Sequence, residues 1–103
     1  MSEPRSIALR MRELPPADLR DELEVFVVAR FKEVLLMDDH EELPLDTSFF
    51  DLGLTSLNLG RLRKELEEAL DVGIDATLLF NTPTVDELVT HLSKRLVTAV
   101  YDR

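Results

Sequence analysis

The chain has 103 residues, of which 45% are hydrophobic, enough for one small core and a single domain. Twelve Lys and Arg against 21 Asp and Glu give a net charge of −9, which argues against binding nucleic acid or an anionic membrane surface. Cysteine is absent, which excludes disulfides, thiolate metal sites and a sulfur nucleophile of the chain's own.

The first 14 residues carry three arginines and apolar positions that fit neither a helical nor a strand period. We interpret residues 1–14 as an N-terminal extension, frayed or forming a short helix. They lack the apolar segment of a secretory signal, and no stretch of the chain is long and apolar enough to cross a bilayer. These features predict a cytoplasmic protein.

A first long helix is predicted over residues 17–37. Pro15 and Pro16 precede it, and Asp18 places negative charge in its first turn. Apolar residues then recur at spacings of three and four, which indicates one buried face. The predicted face consists of Leu19, Leu23, Phe26, Val27, Phe31, Val34 and Leu35.

A long connection, MDDHEELPLDTSFFDLGLT, follows this helix and contains Pro44. Six acids and no Lys or Arg lie between Asp38 and Asp51, without the spacing of a calcium-binding loop, so we interpret them as a solvated face. Apolar residues should anchor the connection to a helical core, and Gly53 should adopt a backbone conformation closed to other residues. The predicted anchors are Leu43, Leu45, Phe49, Phe50, Leu52 and Leu54.

Three more helical segments complete the pattern. Residues 56–70 form an amphipathic helix, residues 76–80 a short turn, and the capping box Thr84–Glu87 opens a last helix. The expected core faces are Leu59, Leu62, Leu66 and Leu70, then Val85, Leu88, Val89, Leu92 and Leu96. Together, the predicted segments form an all-α bundle of three long helices and one short one, with a long first connection.

Ser56 stands where the second long helix begins. A serine at this position is commonly a helix cap, but Thr55 can cap instead and leave the Ser56 hydroxyl free. Leu57 falls opposite the leucine face and should point to solvent beside it. The positive end of a helix also suits a phosphate ester. Ser56 is therefore either an attachment point or only a cap.

Catalysis by Ser56 is not indicated. Its surroundings, Gly-Leu-Thr-Ser-Leu, differ from the GxSxG elbow of hydrolases, and no strand precedes them. The two histidines are His40 in the acidic connection and His91 in the last helix. Neither is a good candidate for the general base that Ser56 would need, and together they make a poor metal site. We expect His91 to be a surface or half-buried residue and the chain not to be an enzyme.

The motif DLGLTSL before an amphipathic helix, followed by DATLLFNTPTVDELVTHL, resembles acyl carrier proteins, especially carrier domains of type I modular polyketide synthases. The upstream segment LPPADLRDELEVFVVARFKEVL resembles their first helix. The similarity covers residues 14–96. It implies a four-helix carrier domain, which we place at residues 15–97, followed by a C-terminal tail at 98–103.

The resemblance implies that a phosphopantetheinyl transferase, using coenzyme A and magnesium, attaches 4′-phosphopantetheine to Ser56. Acyl chains would be bound covalently to its thiol as thioesters. The implied partners are acyltransferase, ketosynthase and other polyketide synthase domains, and the carrier is expected to be a monomer that binds neither nucleic acid nor membranes.

One residue departs from the family pattern, because Thr55 stands where aspartate is usual. Leu57, Gly60, Arg61 and Lys64 are the other candidate recognition residues, and the two cations favour polyketide partners over fatty-acid ones. Gly60, one turn after Ser56, leaves room for an arm. Two alternatives stay open: a peptidyl carrier of a nonribosomal peptide synthetase, and a helical interaction module.

Overall fold

A computed structural model describes residues 4–75, 77–81 and 83–101. Within these ranges it contains five helices and no strand beyond an isolated antiparallel bridge between Ser48 and Thr84. The helices are α1 (Pro4–Glu13), α2 (Pro16–Leu35), α3 (Ser56–Leu70), α4 (Leu78–Asn81) and α5 (Val85–Tyr101). The predicted all-α bundle, with three long helices, one short one and a long first connection, is confirmed, and α1 is an additional helix.

Helix α1 packs against α3. Its Met11 side chain is only 1% exposed and belongs to the core, with Ile7 and Leu14 partly buried beside it. Ile7 and Met11 lie four residues apart on α1, and Leu14 follows directly after the helix, so these side chains face the core together. Arg12 adds a polar contact, since its Nη2 donates a hydrogen bond of 3.0 Å to the backbone oxygen of Asp71.

Helix α2 begins one residue before the predicted start and ends two residues before the predicted end. Leu36 ends it in the left-handed conformation, with φ of 58°, and its N–H donates to the Glu33 carbonyl. Four of the predicted core residues are buried, and the other three are partly buried. The buried residues are Leu19, Leu23, Val27 and Phe31, and the partly buried ones are Phe26, Val34 and Leu35.

Helix α5 packs against α2, and Arg20 of α2 links the two helices. Its Nη2 is 2.9 Å from Oδ1 of Asp86 and 3.1 Å from Oγ1 of Thr90. Partial burial opposes the guanidinium charge, but hydrogen bonds to Glu24 and Asp86 outweigh it and raise the pKa of Arg20. This ion pair links the two longest helices.

The connection between α2 and α3 is packed onto the bundle, as predicted for a loop with apolar anchors. Leu43, Phe49 and Leu54 are buried, and the ring centroids of Phe31 and Phe49 lie 5.2 Å apart. The Phe49 N–H also donates to the Pro83 carbonyl oxygen over 2.7 Å. The connection is therefore held at the start of α5.

One predicted anchor is wrong. Phe50 is 45% exposed and stacks on Phe80 of α4, which is 57% exposed. Phe49 occupies the core position instead, and its neighbour consequently points outward. The connection supplies one buried and one exposed aromatic ring.

The remaining helices follow the prediction closely. All four predicted leucines of α3 and all five predicted apolar residues of α5 are buried. Helix α4 begins at Leu78, and Ala76, where the short turn was predicted to begin, lies outside the described residues. The predicted cap of α5 is present, since the Glu87 N–H donates to Oγ1 of Thr84 at 3.2 Å.

The predicted boundaries at residues 14 and 97 stay predictions. Helix α5 continues past residue 97 to Tyr101, and α1 lies in the predicted extension. Residues 1–3 of that extension and 102–103 of the predicted tail lie outside the described residues.

Candidate functional site

A tight turn before α3 sets the direction in which that helix starts. The Gly53 N–H donates to the Phe50 carbonyl oxygen at 3.1 Å, and the Leu54 N–H donates to that of Phe49, also at 3.1 Å. Gly53 has φ of 103°, a conformation that side-chain-bearing residues rarely adopt. This is the special backbone conformation predicted for Gly53.

Thr55 caps α3. Its backbone is extended, with φ of −101° and ψ of 168°, and its Oγ1 accepts a hydrogen bond of 3.1 Å from the Asn58 N–H. In return, Oδ1 of Asn58 accepts from the Thr55 N–H at 3.2 Å. The two residues form a reciprocal capping box, with asparagine where glutamate or glutamine is usual.

Ser56 is consequently the first residue of α3, and its side chain is exposed. Across the described part of the chain, no group forms a hydrogen bond with its hydroxyl. The first N–H groups of a helix carry partial positive charge, which favours an anion such as a phosphate ester here. The site therefore offers a free hydroxyl in a position suited to a phosphodiester.

The outward face of α3 adjoins Ser56. Leu57 is 74% exposed, and Arg61 and Lys64 are exposed four and seven residues further along the same face. Beyond the nearby backbone of α3 itself, a Cβ atom built on Gly60 would meet no atom of the described residues within 4 Å. The structure thus places Leu57, Arg61 and Lys64, three of the predicted recognition residues, on one exposed face of α3.

One flank of α3 contacts the loop before α4. Nη1 of Arg63 lies 3.3 Å from Oε1 of Glu67 and donates to the Ile74 carbonyl oxygen at 3.2 Å, while the Ile74 N–H donates to Oε2 of Glu67 at 2.7 Å. Asp75 follows in this loop. Hydrogen bonds from the backbone and side chain of Thr77 lower the pKa of Asp75, with a smaller contribution from Arg63.

The exposed pair of Phe50 and Phe80 is a feature that sequence reasoning missed. The ring centroids lie 6.2 Å apart with an interplanar angle of 24°. Phe50 comes from the connection before Ser56 and Phe80 from α4, so the pair joins two segments distant in sequence. The only local signal was the doublet Phe49–Phe50, of which one ring must face away from the core.

The two histidines lie on separate segments. His40 is exposed and His91 is half-buried, as expected for His91. Among the described residues, no three His, Asp or Glu side chains are grouped to bind a metal ion. In the same part of the chain, no helix combines the length and hydropathy needed to span a bilayer.

Residues 26–92 match the family described as phosphopantetheine attachment site, and this range contains both the turn and Ser56. The chain belongs to this family. It is a carrier with covalently attached 4′-phosphopantetheine, and the exposed, unbonded hydroxyl at a helix N-terminus fits such a group. The resemblance to carrier domains seen in the sequence is confirmed.

Three similar proteins are large synthases. The carrier is 37% identical over 90 residues to erythronolide synthase EryA2 of Saccharopolyspora erythraea, and the match covers 87% of this chain and 2% of the synthase. It is 38% identical over 79 residues to a phenolphthiocerol/phthiocerol polyketide synthase of Mycobacterium tuberculosis, and this match covers 77% of this chain and 4% of the synthase. It is also 44% identical over 66 residues to the nonribosomal peptide synthetase ucdA of Aspergillus ustus, and this match covers 62% of this chain and 7% of the synthetase. The carrier thus spans a small fraction of each relative.

Proposed function

We propose that Ser56 is the attachment residue and that the carrier holds acyl or polyketide intermediates for the domains of a synthase. One observation supports Ser56 most directly: Thr55 caps α3, so the Ser56 hydroxyl is not needed to satisfy the helix. An exposed hydroxyl that forms no hydrogen bond with the described residues is available to a modifying enzyme.

Ser56, the N-terminus of α3 and Gly60 would each contribute to this function. A phosphopantetheinyl transferase would join the Ser56 oxygen to the phosphorus next to pantetheine, while the pyrophosphate bond of coenzyme A breaks, adenosine 3′,5′-bisphosphate leaves and the hydroxyl proton passes to a base of the transferase. The N-terminal dipole of α3 stabilises the resulting phosphodiester, and Gly60 leaves the space beside it open. When bound, phosphopantetheine supplies a thiol that holds acyl groups as thioesters.

The partners follow from the relatives. Two of the three are named as polyketide or erythronolide synthases, so acyltransferase, ketosynthase and other polyketide synthase domains are the proposed partners besides the transferase. Catalysis belongs to these domains, and the carrier itself is not an enzyme. We place it in the cytoplasm as a monomer.

Intact-mass measurement tests the attachment residue. The apo carrier, incubated with coenzyme A, Mg²⁺ and a broad-specificity phosphopantetheinyl transferase, should gain the mass of one phosphopantetheine. Ser56→Ala should gain none, whereas the control Ser93→Ala, on α5, should be modified like the wild type. Modification of Ser56→Ala, or none of the wild type by several transferases, would contradict the proposal.

A peptidyl carrier is the second candidate, supported by the similarity to the synthetase ucdA. The two functions differ in how the thiol is loaded. A polyketide carrier should accept an acyl group from an acyltransferase domain, and a peptidyl carrier should accept an aminoacyl group from an adenylation domain. Comparing both reactions on the modified carrier by mass spectrometry distinguishes them.

A further inference from the structure

The connection before α3 is paired with the segment that leads into α5. Ser48 and Thr84 form the isolated antiparallel bridge, and the Phe49 N–H donates to the Pro83 carbonyl oxygen at 2.7 Å. Two neighbouring residues of the connection therefore contact two neighbouring residues before α5, in antiparallel order.

Further contacts extend this pairing on both sides. On one side, the Asp86 N–H donates to the Leu45 carbonyl oxygen at 3.0 Å. On the other side, the ring of Phe50 stacks on that of Phe80, with centroids 6.2 Å apart. Both rings are about half exposed, at 45% and 57%, so they lie outside the buried core. We call the whole set of contacts, between residues 45–50 and 80–86, the antiparallel contact.

The turn before α3 is bonded to the same residues of the connection. The Gly53 N–H donates to the Phe50 carbonyl oxygen and the Leu54 N–H to that of Phe49, each at 3.1 Å. Phe49 and Phe50 are thus shared, because their carbonyls hold the turn while an N–H and a ring reach the segment before α5. A displacement of these two residues would move the turn and the attachment residue that follows it.

We infer that Phe80 is a positioning residue for the modification of Ser56, and that it acts through Phe50 and the turn. Reaction between two groups depends steeply on their orientation, so a small misplacement of the Ser56 oxygen in the transferase complex slows the transfer. Replacing the Phe80 ring loosens Phe50 without removing a group from Ser56 itself. This inference rests on the proposed attachment at Ser56.

Direct docking of the transferase on the exposed rings is the competing explanation, and the two roles differ in what they change. A positioning residue alters the turn of the free carrier and lowers kcat, because the bound serine is misaligned. A docking residue raises KM and leaves the free carrier as it was.

Transferase kinetics measure the first difference. The initial rate of phosphopantetheine transfer from coenzyme A is followed by intact mass at increasing carrier concentration. Phe80→Leu should lower kcat about fivefold or more and change KM by less than about twofold. Phe80→Tyr keeps a ring that can stack on Phe50 and should restore kcat to within about twofold of the wild type. Val25→Ala, at an exposed position of α2, is the control for removing surface apolar area.

Amide hydrogen exchange, followed by NMR on the unmodified carrier, measures the second difference. The N–H groups of Gly53 and Leu54 should exchange about fivefold faster or more in Phe80→Leu, and at nearly the wild-type rate in Phe80→Tyr. Ile7→Ala removes partly buried area from α1 and controls for lower overall stability. It should leave kcat and the exchange of these two amides within about twofold of the wild type. Circular dichroism checks that every variant is folded.

The inference is overturned if Phe80→Leu raises KM while kcat and amide exchange stay unchanged, which would assign the rings to docking. It is also overturned if Phe80→Tyr is as impaired as Phe80→Leu, or if Ile7→Ala lowers kcat equally, since the effect would then reflect stability alone. Failure of the proposed attachment is seen separately, as absence of the mass gain in the wild type.

Discussion

Oγ1 of Thr55 accepts a hydrogen bond from the Asn58 N–H at 3.1 Å, so Thr55, and not Ser56, caps helix α3. Removing a threonine cap costs about 1 kcal/mol of unfolding free energy, and Thr55→Ala should lose this amount. Ser56→Ala removes an exposed hydroxyl that has no hydrogen-bond partner among the described residues, and it should change the unfolding free energy by less than about 0.5 kcal/mol. Urea denaturation of both variants measures the difference.

The same comparison bears on the open alternative of a helical interaction module in which Ser56 is only a cap. That alternative requires Ser56→Ala to be the more damaging substitution. A larger loss for Ser56→Ala than for Thr55→Ala would contradict the capping geometry. Thr55→Ser, which keeps the hydroxyl oxygen, should retain most of the wild-type stability.

The buried side chain of Met11 shows that α1 contributes to the core. Truncating a buried methionine costs about 2–5 kcal/mol, and Met11→Ala should lose stability in this range. The adjacent Arg10 is exposed, so Arg10→Ala should change the unfolding free energy by less than about 0.5 kcal/mol. If both substitutions had equally small effects in urea denaturation, α1 would not be packed as described.

The core of the long helices could be read from the sequence because a period of 3.6 residues identifies a buried face directly. Every predicted core residue of α3 and α5 is buried. The face of α1 was less evident, because only Ile7 and Met11 within the helix, with Leu14 just after it, define the buried side, and neighbouring apolar residues obscure their spacing. Its burial depends on contact with α3, which no local pattern specifies.

The site was predictable to the extent that it depends on neighbours in sequence. The capping of α3 by Thr55 and the exposure of Leu57 both follow from position along one helix. The pair of Phe50 and Phe80 does not, because it forms only when α4 is brought against the connection. The bridge from Arg20 to Asp86 likewise joins helices whose approach is fixed by the whole core.

Asp75 should make a distinct contribution to acid stability. Its pKa is lowered by hydrogen bonds from Thr77, so its ionised form is favoured in the folded state. This stabilisation is fully present above the ordinary carboxyl pKa of 3.8 and is lost as pH falls through the lower folded value. Asp75→Asn should therefore lose less unfolding free energy than the wild type on acidification across this range.

Urea denaturation at a series of pH values measures this effect. Asparagine keeps an oxygen that can accept from Thr77 but cannot titrate, so the comparison isolates the charge. Asp51→Asn, at an exposed position of the acidic connection, serves as the control and should follow the wild-type curve more closely. Parallel curves for Asp75→Asn and the wild type would contradict the prediction.

The stacked rings of Phe50 and Phe80 should stabilise each other. Aromatic pairs contribute about 0.5–1.5 kcal/mol beyond their buried area, and partial exposure places this pair toward the lower end. A double-mutant cycle with Phe50→Leu and Phe80→Leu, measured by thermal or urea unfolding, gives the coupling energy. Additive losses from the two substitutions would show that the rings do not interact in solution.

Gly60 lies inside α3 at a position where an added Cβ atom would meet no described atom within 4 Å beyond the helix's own nearby backbone. Glycine in a helix interior is about 1 kcal/mol less favourable than alanine, so Gly60→Ala should raise the unfolding free energy by up to this amount. Gly53→Ala should do the reverse, because its φ of 103° strains any residue with a Cβ.

If Gly60→Ala is more stable but is modified more slowly by the phosphopantetheinyl transferase, Gly60 provides access to Ser56. An unchanged rate would show that glycine is merely tolerated there, and a loss of stability would mean that the space beside Gly60 is not open.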